Sequence, residues 1–252
     1  MDRILFRMSF QKESLPNWIC PTCYKGRLLL KKDSFYSHET NSSVEDHENS
    51  YWDPEWIKYM YSCLLYCSSC KEIVASSGTG SIVGINDYDD NGQPADNRYL
   101  SLYKPKYFIP HLYIFKYPKN TPQEVKEELN SSFELYFCNP SASLGHVRRA
   151  LEALLDCLCV KRFGRRENKR TLLNMHSRID LLKGKYEKYK ELLFAIKWLG
   201  NAGSHIRNKV TENDVLDAYE IMEETLNKLY EMKDERVLSL AKKINRKKGP
   251  KE

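Results

Sequence analysis

Apolar side chains follow a helical spacing in the second half of the chain. From Thr121 onward they recur at intervals of three and four residues, which place them on one face of an α-helix. This spacing predicts helices at residues 120–137, 139–163, 171–182 and 186–200, and a last one after Thr211. The last helix has the sequence of a capping box, because Asp214 stands three residues after Thr211. The second half is therefore predicted to be all-helical, with about five helices.

The first half lacks this spacing, and its pattern predicts short extended segments. Residues 27–35 and 71–78 have the composition of strands, and prolines exclude a central helix from the tyrosine-rich stretch 99–118. Residues 38–51 are polar and are predicted to form an exposed loop. We therefore expect an α+β chain, with an extended domain at residues 1–118, a helical domain at 119–232 and a tail at 233–252.

The chain shows no sign of export or of membrane insertion. No apolar run approaches the roughly 18 residues of a transmembrane helix. The opening residues, MDRILFRMSFQKES, lack the apolar core and the cleavage site of a secretory signal. We expect a cytoplasmic protein without membrane association, in a compartment that keeps cysteines reduced.

Basic side chains are concentrated in two segments. Residues 161–170 hold six basic side chains and one acid, and residues 233–252 hold eight basic and three acidic ones. Such segments attract phosphate backbones or anionic surfaces, although a solvated helix end and a disordered tail would have the same composition. The candidate residues for nucleic-acid binding are Arg165, Arg166, Arg207 and Lys209.

Four of the eight cysteines form two Cys-x-x-Cys pairs, Cys20 with Cys23 and Cys67 with Cys70, separated by 43 residues. In each pair, the two-residue spacer lets a tight turn present both sulfurs to one ion, so the pairs can supply four thiolates to a tetrahedral Zn²⁺. We therefore predict a structural zinc site in a zinc-ribbon-like domain. An iron–sulfur cluster, a redox pair and unligated thiols remain alternatives, and Cys63 could replace a ligand.

The remaining cysteines and one late motif belong to the predicted helices. Cys157 and Cys159 fall in the helix with the apolar stripe, so we expect them in its core. The stretch GNAGSH places Asn201 and His205 four residues apart on one helical face, with Lys197 four residues earlier. An imidazole, an amide and a cation together could hold a phosphate and move a proton. Alternatively, the small residues of this stretch allow two helices to approach closely.

Taken together, the segments WICPTC, CSSC, HVRRALEALLDCL and GNAGSH resemble the domain-of-unknown-function family 4145 over residues 18–230. That family is regarded as related to the HEPN superfamily, whose helical bundles often dimerise and occur in prokaryotic defence and toxin systems. Active HEPN members are metal-independent ribonucleases with an arginine and a histidine in one motif. The resemblance implies RNA cleavage, with His205 as acid or base. This chain departs from the motif, because Gly200 stands in the arginine position and Lys197 where the family usually has arginine.

The resemblance therefore implies a zinc-binding protein with a HEPN-like bundle that binds or cleaves RNA in a prokaryotic defence context, as a homodimer formed through the bundle. The alternative is a non-catalytic module for dimerisation and protein interaction, which would serve as an accessory subunit of a defence or restriction complex. Its zinc domain would then hold a partner protein. DNA binding through the zinc domain is disfavoured, because the region around the cysteines is not strongly basic.

Overall fold

The computed structural model describes residues 1–85, 98–166, 169–202, 210–231, 242 and 245–246. The chain divides into two compact units: unit 1 comprises Met1–Ile114 with Phe133–Asn139, and unit 2 comprises Phe115–Ser132 with Pro140–Glu252. Both strands and helices are present, so the α+β prediction is confirmed. Within the described ranges, no helix is long and apolar enough to cross a membrane.

Unit 1 is built around a five-stranded antiparallel sheet. Its elements are α1 (Arg3–Arg7), β1 (Leu28–Leu30), β2 (Tyr36–Glu39), α2 (Asn41–Glu45), β3 (Lys58–Cys67), β4 (Ile73–Ile85) and β5 (Arg98–Ile109). The strand order is β1-β3-β4-β5, and β2 pairs with the beginning of β3 while β1 pairs with its end. Both predicted segments contain a strand, but the first is extended only over Leu28–Leu30, because residues 32–33 form a turn.

One face of this sheet is buried and the other is exposed. Along β3, buried residues alternate with exposed or half-buried ones, and Tyr61, Cys63 and Leu65 all face the core. Phe10 and Trp18 cover that face, with their ring centroids 5.5 Å apart. This alternation is the period of two that a half-buried strand requires.

Most of residues 38–51 are exposed as predicted. The predicted loop is wrong, because the segment contains the end of β2, helix α2 and a turn of 3₁₀ helix. The side chain of Thr40 caps α2 by accepting from the Ser43 amide at 3.4 Å. Ser43 is buried and donates to the Glu39 carboxylate at 2.6 Å. The composition of the segment is polar, but these local hydrogen bonds give it regular structure.

Between Phe115 and Tyr230, the described residues of unit 2 form five α-helices, a 3₁₀ helix (Gly184–Tyr189) and a two-stranded ribbon. Its elements are α3 (Gln123–Leu135), α4 (Pro140–Cys157), β6 (Phe163–Arg166), β7 (Lys169–Leu172), α5 (Met175–Asp180), α6 (Lys190–Ala202) and α7 (Glu212–Tyr230); the last residues of α3 belong to unit 1. The capping box at Thr211 and Asp214 is confirmed. The all-helical prediction is wrong, because β6 and β7 pair where a helix end and the start of α5 were expected. Asn174 caps α5, so that helix starts later than its apolar spacing predicts.

The helical spacing does identify the core of unit 2. Most apolar residues of the predicted stripes are fully buried, namely Val125, Leu129, Leu144, Val147, Leu151, Leu154, Leu155, Val215, Tyr219, Met222 and Leu226. Leu158 and Leu229, at the ends of two predicted stripes, are only half-buried. A buried hydroxyl cluster joins three helices, because the Tyr219 hydroxyl lies 2.7 Å from Ser132 Oγ and 2.8 Å from Ser143 Oγ. Each hydroxyl thus has partners away from water.

Candidate functional site

The four cysteines of the two Cys-x-x-Cys pairs come together at one end of the sheet. Cys67 ends β3, and the register pairs it with Leu28 of β1, shortly after the Cys20–Cys23 turn. The four sulfurs all lie within 4.8 Å of one another. Cys20 Sγ is 3.7 Å from Cys70 Sγ, and Cys23 Sγ is 3.6 Å from Cys67 Sγ.

These separations fit a tetrahedral metal site. An ion with metal–sulfur bonds of about 2.3 Å separates its four ligand sulfurs by about 3.8 Å. The two turns also share one backbone conformation. The amide of Tyr24 donates to the Cys20 carbonyl at 3.0 Å, and the amide of Lys71 donates to the Cys67 carbonyl at 3.2 Å. Tyr24 and Lys71 both have positive φ, of 55° and 64°. The two cysteine pairs therefore form matched turns that could hold one ion between them.

The backbone around the sulfurs favours thiolates. Hydrogen bonds from the amides of Gly26 and Lys25 lower the pKa of Cys23 to about 6. For Cys70, the amide of Glu72 would lower the pKa, but burial and the neighbouring sulfurs outweigh it and raise the pKa to about 12. Crowded thiolates repel one another, and a bound cation removes that repulsion. The donor set and its electrostatics therefore fit a metal ion.

Gly26 makes this packing possible. A Cβ at this position would overlap Cys67 Sγ and would lie 2.7 Å from the Ser69 amide nitrogen. We therefore expect Gly26→Ala to displace the second cysteine turn and to weaken metal binding by at least tenfold, because ligand positions tolerate little displacement. Competition with a chromophoric chelator measures the affinity. The neighbouring exposed residue provides the control Lys25→Ala, and equal affinities of the two variants would contradict this role of Gly26.

The other cysteines lie outside the metal centre. Cys63 is buried on β3, and burial raises the pKa of its thiol to about 11, so it behaves as a core residue. Cys157 and Cys159 are exposed, and their predicted core position is wrong. They follow the apolar stripe in sequence, but Cys157 is the last residue of α4 and Cys159 lies beyond it with a φ of 57°. The helical period therefore no longer applies to Cys159.

The basic segment 161–170 forms the β6–β7 ribbon. Its register places Arg165 opposite Arg170 and Arg166 opposite Lys169. Like charges directly opposite one another destabilise a strand pair. The guanidinium carbon of Arg170 lies 4.0 Å from the centroid of the Phe163 ring, which is a cation–π contact.

A pocket of about 560 Å³ lies beside this ribbon. Its described lining includes three cationic side chains and no carboxylate; the residues are Lys161, Phe163, Gly164, Arg165, Arg170, Leu173, Ser177 and Leu181. A cavity with this lining attracts an anion. Arg165, a predicted binding residue, therefore lines a cationic pocket, and the backbone of Arg166 belongs to the same strand.

A carboxylate holds the base of the ribbon. Asp156 on α4 accepts from Arg162 Nε at 2.8 Å and from Arg178 Nη2 at 2.6 Å. The Leu173 amide donates to the Arg162 carbonyl at 2.9 Å, which closes the ribbon base. Asp156 therefore links the ribbon to α4 and to α5, which carries Arg178.

The residues of the late motif are only partly within the described chain. His205, Arg207 and Lys209 lie outside the described residues. Lys197 is buried on α6, whereas Asn201 near the end of this helix is half-buried. The role of the predicted set Lys197, Asn201 and His205 stays a prediction.

The structure brings one residue to Lys197 that sequence spacing does not indicate. His176 on α5 has its Nδ1 atom 3.5 Å from Lys197 Nζ and its Nε2 atom 3.5 Å from Asp180 Oδ2. Lys197 Nζ also lies 3.4 Å from the centroid of the Trp198 ring. Because Lys197 lies 21 positions after His176 in the sequence, only the packing of α5 on α6 makes them neighbours.

Gly200 allows α4 and α6 to approach closely. A Cβ at Gly200 would lie 2.8 Å from Arg148 Cβ and 3.5 Å from Arg148 Cα. Gly200 is therefore covered by Arg148 of α4. Arg148 also forms an ion pair with Glu152, at 3.6 Å.

We expect Gly200→Ala to destabilise unit 2. Helix propensity favours alanine by about 1 kcal/mol, but overpacking against Arg148 costs about 1–3 kcal/mol. Gly145→Ala on α4 is the matched control, because a Cβ there meets nothing within 4 Å and retains the full propensity gain. Urea unfolding measures both variants. If Gly200→Ala proves as stable as Gly145→Ala, the close approach of the helices is wrong.

The fold and the cysteine centre define an α+β protein of two units, in which four cysteines could hold a metal ion. Residues 8–108 match the family model described as Domain of unknown function (DUF8608), and residues 130–247 match Domain of unknown function (DUF4145). The second match supports the resemblance for the helical part. The expectation that the resemblance to family 4145 begins at residue 18 is wrong, because the cysteine-bearing part of the chain matches a different family model. No curated protein and no solved structure matches the chain.

Proposed function

We propose that this protein binds RNA and that the β6–β7 ribbon supplies its main phosphate contacts. The cationic pocket beside the ribbon carries this proposal. Arg165 and Arg170 oppose one another in the ribbon and both line the pocket. A phosphate between them would compensate their repulsion and would accept charge-assisted hydrogen bonds from both guanidinium groups.

The proposal also assigns roles to the cysteine centre and to the late motif of unit 2. The ion at Cys20, Cys23, Cys67 and Cys70 is Zn²⁺, which four thiolates hold in a closed structural site. Unit 2 is HEPN-related, as the family resemblance implies, and it forms a homodimer in a prokaryotic defence system. For cleavage, His205 acts as acid or base, while Lys197 and Asn201 hold the phosphate. The imidazole of His176 orients Lys197 from α5.

RNA binding is tested with the full-length protein and a fluorescein-labelled RNA over a range of salt concentrations. We expect the double variant Arg165→Glu/Arg170→Glu to bind at least 100-fold more weakly and to show a smaller salt dependence. The control Lys119→Glu/Lys183→Glu changes the net charge equally at exposed positions that do not line the pocket. Equal losses in both variants, or equal binding of duplex DNA, would contradict the assignment.

RNA cleavage is tested by incubating metal-loaded wild-type protein and His205→Ala with total RNA in a buffer to which no divalent metal ion and no chelator is added. Cleavage by the wild type alone would support His205 as the acid or base. Cleavage by both proteins would exclude that role, and intact RNA in both reactions would contradict the enzymatic part of the proposal.

A second candidate function is dimerisation and protein interaction without catalysis. It is favoured by Trp198 on α6, which is 59% exposed, since exposed tryptophans are enriched among residues that dominate interfaces. Sedimentation of Trp198→Ser tests it: a monomeric variant with unchanged RNA binding would place the dimer contact at this residue.

A further inference from the structure

The exposed face of the unit 1 sheet carries a groove of about 530 Å³. One register row crosses it from β2 to β5: Tyr36 opposes Ser62, Ser62 opposes Ser77 and Ser77 opposes Tyr107. Residues directly opposite one another share a face of the sheet. The row therefore has two tyrosines at its ends and two short serines as a floor between them.

The distance between the two tyrosines leaves room for the flat aromatic rings of a ligand between them. Neighbouring strands lie about 4.8 Å apart, so the Cα atoms of Tyr36 and Tyr107 are separated by about 14 Å. The two tyrosines are 64% and 54% exposed, so more than half of each residue is accessible to a ligand. The serine hydroxyls can donate to and accept from the edge of a base.

Cations lie at the β2 end of the groove. The segment Lys31–Ser34 lines it and is held against β3, because the Lys31 amide donates to the Leu64 carbonyl at 2.9 Å and Ser34 Oγ donates to the same oxygen at 3.0 Å. Lys31 and Lys32 are both exposed and outnumber the one acid of the segment, Asp33. The net charge of this end is therefore positive and complements a phosphate.

We propose that this groove binds bases of single-stranded RNA between Tyr36 and Tyr107, with the phosphates toward Lys31 and Lys32. Aromatic faces with adjacent cations are the combination that holds single strands. The site rests on the RNA-binding function proposed above, but it is built from other residues in the other unit. Variants of the ribbon and of the groove therefore test the two independently.

The test uses the full-length protein and a fluorescein-labelled single-stranded 12-mer RNA of mixed sequence. We expect Tyr36→Ala and Tyr107→Ala each to weaken binding about tenfold, since stacking on an aromatic side chain contributes on that scale. The matched control is Tyr51→Ala, because Tyr51 is 85% exposed and does not line the groove. We expect Lys31→Ala/Lys32→Ala to reduce both the affinity and the salt dependence.

Photocrosslinking of a 4-thiouridine-labelled 12-mer to the wild-type protein locates the contact, and we expect crosslinked peptides from β2 and β5. If AMP or UMP competes at concentrations close to the oligomer's Kd, the groove binds free nucleotides rather than single-stranded RNA, and the proposal is overturned. If the groove variants bind like the wild type while the ribbon variant does not, the groove is excluded and RNA binding stands. If the wild type binds no RNA, the proposed function itself is wrong.

Discussion

Cys67→Ser should abolish metal binding and unfold unit 1. Cys67 is fully buried at the end of β3, and its sulfur accepts from the amides of Ser69 and Cys70 at 3.3 and 3.4 Å. Binding of structural zinc contributes about 10–16 kcal/mol in small zinc domains, which equals or exceeds the total stability of a typical domain. A serine ligand loses most of this contribution, so the sheet should not remain folded. Elemental analysis gives the metal content, and near-ultraviolet circular dichroism reports the folded sheet.

Cys157→Ser is the matched control for this substitution, because Cys157 is exposed and lies outside the cysteine cluster. We expect it to retain the metal and the wild-type spectrum. Treatment of the wild type with a strong chelator should reproduce the Cys67→Ser spectrum. A Cys67→Ser protein that keeps one equivalent of metal and an unchanged melting temperature would contradict the structural role.

Asp156→Ala should cause the second-largest loss, about 3–5 kcal/mol of the free energy of unfolding. Its carboxylate is the acidic partner of the buried Arg178, whose Nε atom has no hydrogen-bond partner among the described residues. Without Asp156, the hydrogen-bond partner that remains to the guanidinium among the described residues is the Val160 carbonyl, at 3.3 Å. Thermal unfolding should show a decrease of about 10 °C in Tm.

The control is Arg162→Gln, which removes the exposed partner of Asp156 and should cost less than about 1 kcal/mol. Similar losses in both variants would contradict the importance of the buried arginine.

The contribution of Asp156 should also depend on pH. Hydrogen bonds from Arg162 and Arg178 lower the pKa of this carboxyl below its ordinary value of 3.8. A lowered folded-state pKa means that the stabilisation is complete above the unfolded-state pKa and is lost as the pH falls through the folded-state value. The difference in stability between wild type and Asp156→Ala should therefore be constant near neutrality and decrease below about pH 4. A difference that grows with acidity would contradict this ion pair.

Elements defined by local spacing could be predicted from the sequence. The apolar stripe from Leu144 to Leu155 is buried as expected, and Thr211 caps α7 with Asp214. The two Cys-x-x-Cys pairs indicated a metal centre, because a two-residue spacer lets both cysteines of a pair bind the same metal ion. The ribbon was not predicted, because its basic residues lack the alternation that identifies strands, and because the contact of Asp156 with Arg162 at its base joins α4 to the residue just before β6.

By itself, the sequence determined which faces of the helices are apolar, where α7 begins and which cysteines form pairs that could bind an ion, because each depends on residues within a few positions. Only the tertiary structure decided that Cys67 meets Cys23, that Arg148 covers Gly200 and that His176 lies beside Lys197. It also placed Tyr36 and Tyr107 in one row of the sheet. These pairs are distant in sequence, and their meeting depends on strand register and helix packing, which no local pattern specifies.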